Sequence, residues 1–157
     1  MSVVALRPVQ PEDLDEIFEQ MRDAESVRMA AFTPEDPSDR SAFDAHMAKV
    51  MSSPEITHRA VTRDNRLVGT IASFVSDGTT EVTYWIARAY WGQGIASRAL
   101  ALLLDVVSVR PLRARVASDN TGSVRVLQKA GFQMVGNEVS YAAGRGSDIE
   151  ETILELR

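Results

Sequence analysis

Between Tyr84 and Val107 the sequence YWIARAYWGQGIASRALALLLDVV changes period within a few residues. An apolar, aromatic run of strand character stops at Gly92-Gln93-Gly94, and an apolar pattern of helical spacing starts at once behind it. Strand, glycine turn and helix in direct succession commit the chain to a layered α/β arrangement. The strand must join a sheet and the helix must pack back onto that sheet. Two glycines and Ala96 leave little side chain over the turn, and a helix start presents free backbone N–H groups with the positive end of the helix dipole. That combination suits an anion held against the backbone, phosphate above all, with the Ser97 hydroxyl as an extra donor. A tight turn that needs positive φ at one glycine explains the same letters without a ligand. The turn alone leaves both readings open.

The remaining elements follow from periodicity. VVALRPV reads as a strand. Pro11 opens an acidic helix, PEDLDEIFEQMRDAE, with Leu14, Ile17, Phe18 and Met21 at helical spacing toward the core. FTPEDPSD is a loop, and Ser38 or Asp39 caps a second helix running to about Val50. THRAVTRDNRLVGTIASFV gives two strands joined at Asp64-Asn65, SDGTT is the next turn, and EVTYWIA is a strand. The helix from about Gln93 to Val107 is expected to face the core with Ile95, Ala99, Leu102, Leu103 and Val106. LRARVAS alternates arginine with apolar residues, as an edge or solvated strand does. Asp119-Asn120-Thr121 starts a helix that stops at Gly131, and FQMVGNEVSYA and DIEETILEL close the chain as strands around AGRGS. The expectation is a single α/β (α+β) domain over residues 1–157.

Composition removes several classes. With 45% hydrophobic and 25% charged residues the chain is neither disordered nor fibrous. No apolar run reaches the ~20 residues of a membrane span, and the acidic N-terminal stretch has no signal-peptide pattern, so a cytoplasmic protein without a membrane partner is expected. Zero cysteines exclude disulfides, thiolate metal sites and a cysteine nucleophile. His46 and His58 have no partner acids at ligand spacing, so no metal is expected. A net charge of −5 argues against nucleic acid as a partner. Residues 1–60 hold 12 acids and 6 bases, whereas residues 84–132 hold 7 bases and 2 acids. Either this is scatter of surface charge, or the middle of the chain meets an anion and the first third a cation.

Three phosphate motifs compete for the glycine turn. A P-loop needs Gly-Lys-Ser/Thr, which is absent. A dinucleotide fingerprint would use Gly92, Gly94 and Ser97 with Asp119 as the ribose carboxylate, but this turn falls in mid-chain after hairpin strands rather than opening a βαβ array. The third candidate accounts for more residues. EVTYWIARAYWGQGIASRAL, followed at the right distance by SDNTGSVRVLQKAGFQMVG, resembles the GCN5-related N-acetyltransferase (GNAT) superfamily, and within it the branch of ribosomal-protein and other N-terminal or small-amine acetyltransferases. The opening LRPVQPEDLDEIFEQMRDAESVRM suits that branch too, so the resemblance spans nearly the whole chain.

The resemblance implies a mixed, largely antiparallel sheet of about seven strands flanked by about four helices. It implies acetyl-CoA as co-substrate, with the pyrophosphate on the N–H groups of Gly92, Gln93, Gly94, Ile95, Ala96 and Ser97 and with Trp91 also binding the cofactor. Ile86 and Ala87 would hold the thioester end, with an oxyanion donor among Trp85 to Ala87, and Asn120 and Ser123 would hold the pantetheine side. The tyrosine that serves many members as acid aligns with Leu127, so Ser123 is the expected donor to the departing thiolate. Acetyl transfer also requires an amine to lose a proton and an oxyanion to be stabilised. Glu81, at the start of the strand before the glycine turn, is the expected general base, directly or through water. Alternation sets Glu81, Thr83 and Trp85 on one strand face and Val82, Tyr84 and Ile86 on the other. Tyr84 and Trp85 are expected to shape the thioester channel or to fill the core.

The function expected is direct transfer of acetyl to a primary amine, a protein N-terminus or a small cationic molecule, through a ternary complex, by a monomer or homodimer. A non-catalytic acyl-CoA-binding module and a dinucleotide-binding enzyme are the alternatives.

Overall fold

The computed structural model describes residues 2–157. Seven strands form one sheet: β1 (Val4–Pro8), β2 (Thr57–Arg63), β3 (Arg66–Ser76), β4 (Thr79–Ile86), β5 (Leu112–Ala117), β6 (Gln133–Ala142) and β7 (Ser147–Leu156). Their order is β1-β2-β3-β4-β5-β7-β6. Every neighbouring pair is antiparallel except β4 with β5. The β2–β3 and β3–β4 hairpins turn at Asp64-Asn65 and Asp77-Gly78, with positive φ at both residues of each pair. Such turns match the twist of the flanking strands, which is why these residue pairs mark them in the sequence.

Five α-helices cover the sheet among the described residues: α1 (Leu14–Met21), α2 (Ala24–Ala30), α3 (Arg40–Ser52), α4 (Ile95–Val106) and α5 (Thr121–Lys129). The first three lie on one face, where Ile17 and Met47 pack on Ala60 and Leu67, and Ala31 on Ala117 and Ala142. Helices α4 and α5 lie on the other, where Ile95, Ala99, Leu100, Leu103 and Leu127 meet Val82, Ile86, Leu112, Ala114 and Leu154. Each large side chain fully buried there contributes about 1.5–3 kcal/mol. Among the described residues, no helix is long and apolar enough to cross a membrane.

Three expectations need correction. The acidic stretch after Pro11 is not one helix. A 3₁₀ turn over Pro11–Asp13 leads into α1, the chain breaks at Arg22 and Asp23, and α2 begins with the Asp23 carboxylate accepting the Ser26 N–H at 3.1 Å. Aspartate favours a cap over a helix interior because its side chain competes for nearby backbone N–H groups. The apolar face of α4 is also turned from the one expected. Leu100 is buried, whereas Val106 is 58% exposed, and Val107 beyond the helix takes its place in the core. Finally, β5 is an interior strand. Leu112 and Ala114 enter the core, while Arg113 on the opposite face meets Glu155 of β7 at 2.9 Å.

Candidate active site

Strands β4 and β5 pair only at Thr80–Leu112 and Glu81–Arg113, and then part. Past that point β4 still runs along β3. The Ala87 N–H donates to the Val68 carbonyl at 2.8 Å. The Trp85 carbonyl points the same way, so close that a Cβ on Gly69 would collide with it. Hydrogen bonding alternates along an antiparallel strand, so the N–H and C=O of Tyr84 and Ile86 turn the other way, into the gap. The Trp91 indole Nε1 donates to the Ile86 carbonyl at 2.8 Å, which leaves the Ile86 N–H facing the gap. Unpaired main-chain groups within a sheet offer an extended, amide-bearing chain the partners a strand would have supplied. Of the two residues expected at the thioester, Ile86 therefore turns its N–H toward the gap. The N–H of Ala87 is already bonded.

The glycine turn closes one end of this gap. A 3₁₀ turn over Arg88–Tyr90 leads to Trp91, and Gly92 and Gly94 adopt φ of +76° and +74°. The left-handed backbone requires glycine at both, and the space above them is open as well, with nothing within 4 Å of a built Cβ. The two explanations for these letters thus coexist. The first intrahelical bond of α4 runs from Arg98 N–H to Gly94 C=O at 3.2 Å, so the N–H groups of Ile95, Ala96 and Ser97 have no acceptor within the helix. The Ile95 side chain is core, 2% exposed, and only its N–H can serve a ligand. Arg98 donates to the Gln93 carbonyl at 3.2 Å, and Arg63 donates to Gln93 Oε1 while lying over the Tyr90 ring. These guanidiniums keep positive charge beside the turn.

Helix α5 forms the other wall. Asn120 caps it, its Oδ1 accepting the Ser123 N–H at 3.3 Å. The cap uses the amide oxygen and leaves the amide N–H groups as donors. Ser123 Oγ lies 2.7 Å from the Tyr84 hydroxyl, which thereby crosses from β4 to α5. Burial pushes the Tyr84 phenol up to about 12, against the lowering effect of Ser123. Strand parity put Tyr84 on this face, but no pattern in the sequence paired it with Ser123.

Glu81 stands on the opposite face of the sheet, only 8% exposed. Arg115 reaches it at 3.4 Å and also contacts Glu138 at 3.1 Å and Glu151 at 3.4 Å. Burial pushes the Glu151 carboxyl up, although Arg115 pulls the other way. One guanidinium against three carboxylates leaves the group net negative. Nearby, the Trp85 indole donates to the Gln20 carbonyl of α1 at 3.2 Å. A cavity of about 510 Å³ opens beside Gln20, lined by Glu16, Glu19, Gln20, Asp23, Ala87 and Arg88, with Glu81 outside its lining. A forked ion pair fastens its lining, Arg88 to Asp23 at 2.9 and 3.1 Å, and a second, Arg145 to Asp119 at 2.8 and 2.9 Å, ties the start of α5 to the loop between β6 and β7. Among the described residues no group of His, Asp or Glu is arranged for a metal. His58 lies on β2, its pKa pushed down by burial, with the charges of His46 and Arg59 adding to the effect.

The profile of an acetyltransferase (GNAT) domain matches residues 4–133. The chain is 25% identical to an N-acetyltransferase, p20, of Bacillus licheniformis, over 98% of this chain and 92% of that one. Among solved structures, RimJ of Mycobacterium smegmatis, in complex with a CoA-disulfide, superposes with a TM-score of 0.78 at 23% identity, covering 98% of this chain and 81% of that one. RimL, a ribosomal L7/L12 α-N-protein acetyltransferase in complex with coenzyme A, superposes with a TM-score of 0.80 at 15% identity, covering 96% and 92%. The open glycine turn and the parted strands fit a phosphate followed by an amide-bearing arm. Together with the profile match over most of the chain, they make this protein a member of the GNAT family, an N-acetyltransferase that uses acetyl-CoA.

Proposed function

We propose that the protein transfers acetyl from acetyl-CoA directly to a primary amine within a ternary complex. The observation that carries this reading is the parting of β4 from β5, because it joins the two faces of the sheet. The pyrophosphate would rest on the N–H groups of residues 92–97, on the α4 side. The pantetheine arm would lie along Tyr84 and Ile86, with the Asn120 amide as a further donor. The thioester would then meet the opposite face, where the Glu81 group and the acidic cavity under α1 lie. An amine entering there is attracted as a cation and, on losing a proton through a water held by Glu81, attacks the thioester carbonyl. The Ile86 N–H is the donor for the oxyanion, and the Ser123 hydroxyl stabilises the departing thiolate.

The acidic lining supports a positively charged acceptor, and the α-amine substrate in the name of RimL supports a protein N-terminus. The test is release of free thiol from acetyl-CoA with peptides bearing a free α-amine, with polyamines and with aminoglycosides. At least one cationic amine should accelerate release, and the product should be its N-acetyl derivative with no acetylated enzyme accumulating. An acetyl-enzyme formed before amine is added would overturn direct transfer.

A further inference from the structure

Tyr84 and Ser123 meet across the gap with their hydroxyl oxygens 2.7 Å apart. We propose that Tyr84 is a positioning residue for acetyl transfer: its phenol donates to Ser123 Oγ, which turns the Ser123 hydroxyl proton into the gap toward the thioester sulfur. The proposal rests on the reading of Ser123 as the donor to the departing thiolate. A serine hydroxyl has one proton and two acceptor lone pairs, and which way the 2.7 Å bond runs decides whether that proton is free for a ligand. A phenol is the more acidic of two neutral hydroxyls and the stronger donor, so the favoured direction runs from Tyr84 to Ser123.

The surroundings hold this arrangement from three sides. The Tyr84 side chain packs against the core cluster that includes Ile86 and Leu127, so its ring is not free to swing. The Ser123 N–H is fixed by Asn120 Oδ1. The Ser123 carbonyl, 3.3 Å from the phenol, is a second acceptor for the single Tyr84 proton, and Ser123 Oγ at 2.7 Å is the nearer of the two. With its pKa raised toward 12, the phenol keeps its proton through the neutral range and remains a donor. When the carbon–sulfur bond breaks, its electron pair goes to sulfur. The Ser123 O–H then bonds to that thiolate, which solvent protonates as it leaves, and the protons lost by the amine pass through the Glu81 water to solvent.

The test needs no acceptor. The thiol of coenzyme A bound to the protein is titrated by thiolate absorbance, against bound desulfo-coenzyme A as the blank. Ser123→Ala should raise the pKa of the bound thiol by about one to two pH units, the size of one hydrogen bond to an ionised group. Tyr84→Phe, which keeps the ring, should raise it in the same direction. The double variant should go no further than Ser123→Ala, because residues acting through one another do not add. Ser123→Thr keeps the hydroxyl and should titrate like the wild type. A Tyr84→Phe protein that titrates like the wild type while Ser123→Ala is raised would overturn the role of Tyr84 and leave Ser123 standing. An unchanged Ser123→Ala would remove both. A double variant equal to the two shifts combined would show Tyr84 acting independently of Ser123 and so overturn the proposal. A merely structural tyrosine would lower thermal stability or coenzyme A affinity without moving the thiol.

Discussion

At Glu81 a single contact carries two effects. The Arg115 guanidinium holds the carboxylate in place at 3.4 Å, while Glu138 and Glu151 compete for the same guanidinium. A carboxylate that shares its guanidinium with two others can both attract an ammonium and take its proton through water. Glu81→Gln keeps the shape of the side chain and removes its charge, so turnover should fall about 10²–10⁴-fold. Coenzyme A affinity should stay the same, because Glu81 lies across the sheet from the glycine turn. The residual rate should climb with pH as more of the amine is already neutral. Full turnover at neutral pH in this variant would take Glu81 out of the mechanism. In the sequence, Glu81 was singled out through the resemblance, by its place at the start of the strand before the glycine turn. Its partner Arg115 was not, since that arginine reads as one of several on an apparently solvated strand, and only the neighbouring strands reveal what it faces.

Among the elements, the start of α5 joins stability to binding. Asn120 caps the helix with its oxygen and is left with its amide N–H groups to offer. Asn120→Asp preserves a cap acceptor, and a carboxylate at a helix N-terminus is itself favourable. Thermal stability should therefore hold or rise slightly. The donors are lost, so the Michaelis constant for acetyl-CoA should rise roughly tenfold, the value of one hydrogen bond. An unchanged constant would make Asn120 a cap and nothing more. Elements defined by local chemistry were readable in advance: the Asp64-Asn65 and Asp77-Gly78 hairpins, the Asp39 cap of α3 and the glycine turn into α4. Those that depend on a competing local preference or on a neighbour were not. The Asp23 break between α1 and α2 lies inside an unbroken helical period, and the face of α4 depends on where the sheet beneath it ends.

On the scale of the whole molecule, the point where β4 and β5 separate could not have been read from either strand, because the register of a parallel pair is written in neither pattern. Only two residue pairs join the strands along their backbones, although both lie in the middle of a seven-stranded sheet. The middle of a sheet ordinarily holds the amides that exchange most slowly with solvent. In this protein the order should be reversed. The N–H groups of Tyr84 and Ile86 should exchange rapidly, while those of β3 beside them stay protected by β2 and β4. Coenzyme A at 100 times its dissociation constant should stabilise the fold by about 2.7 kcal/mol and slow the exchange of those two amides in particular. Equal protection with and without coenzyme A would mean that the gap is closed by the protein itself. If the amides respond, the small molecule is a missing strand as well as a reactant, and the supply of acetyl-CoA sets how much of the enzyme has a complete sheet.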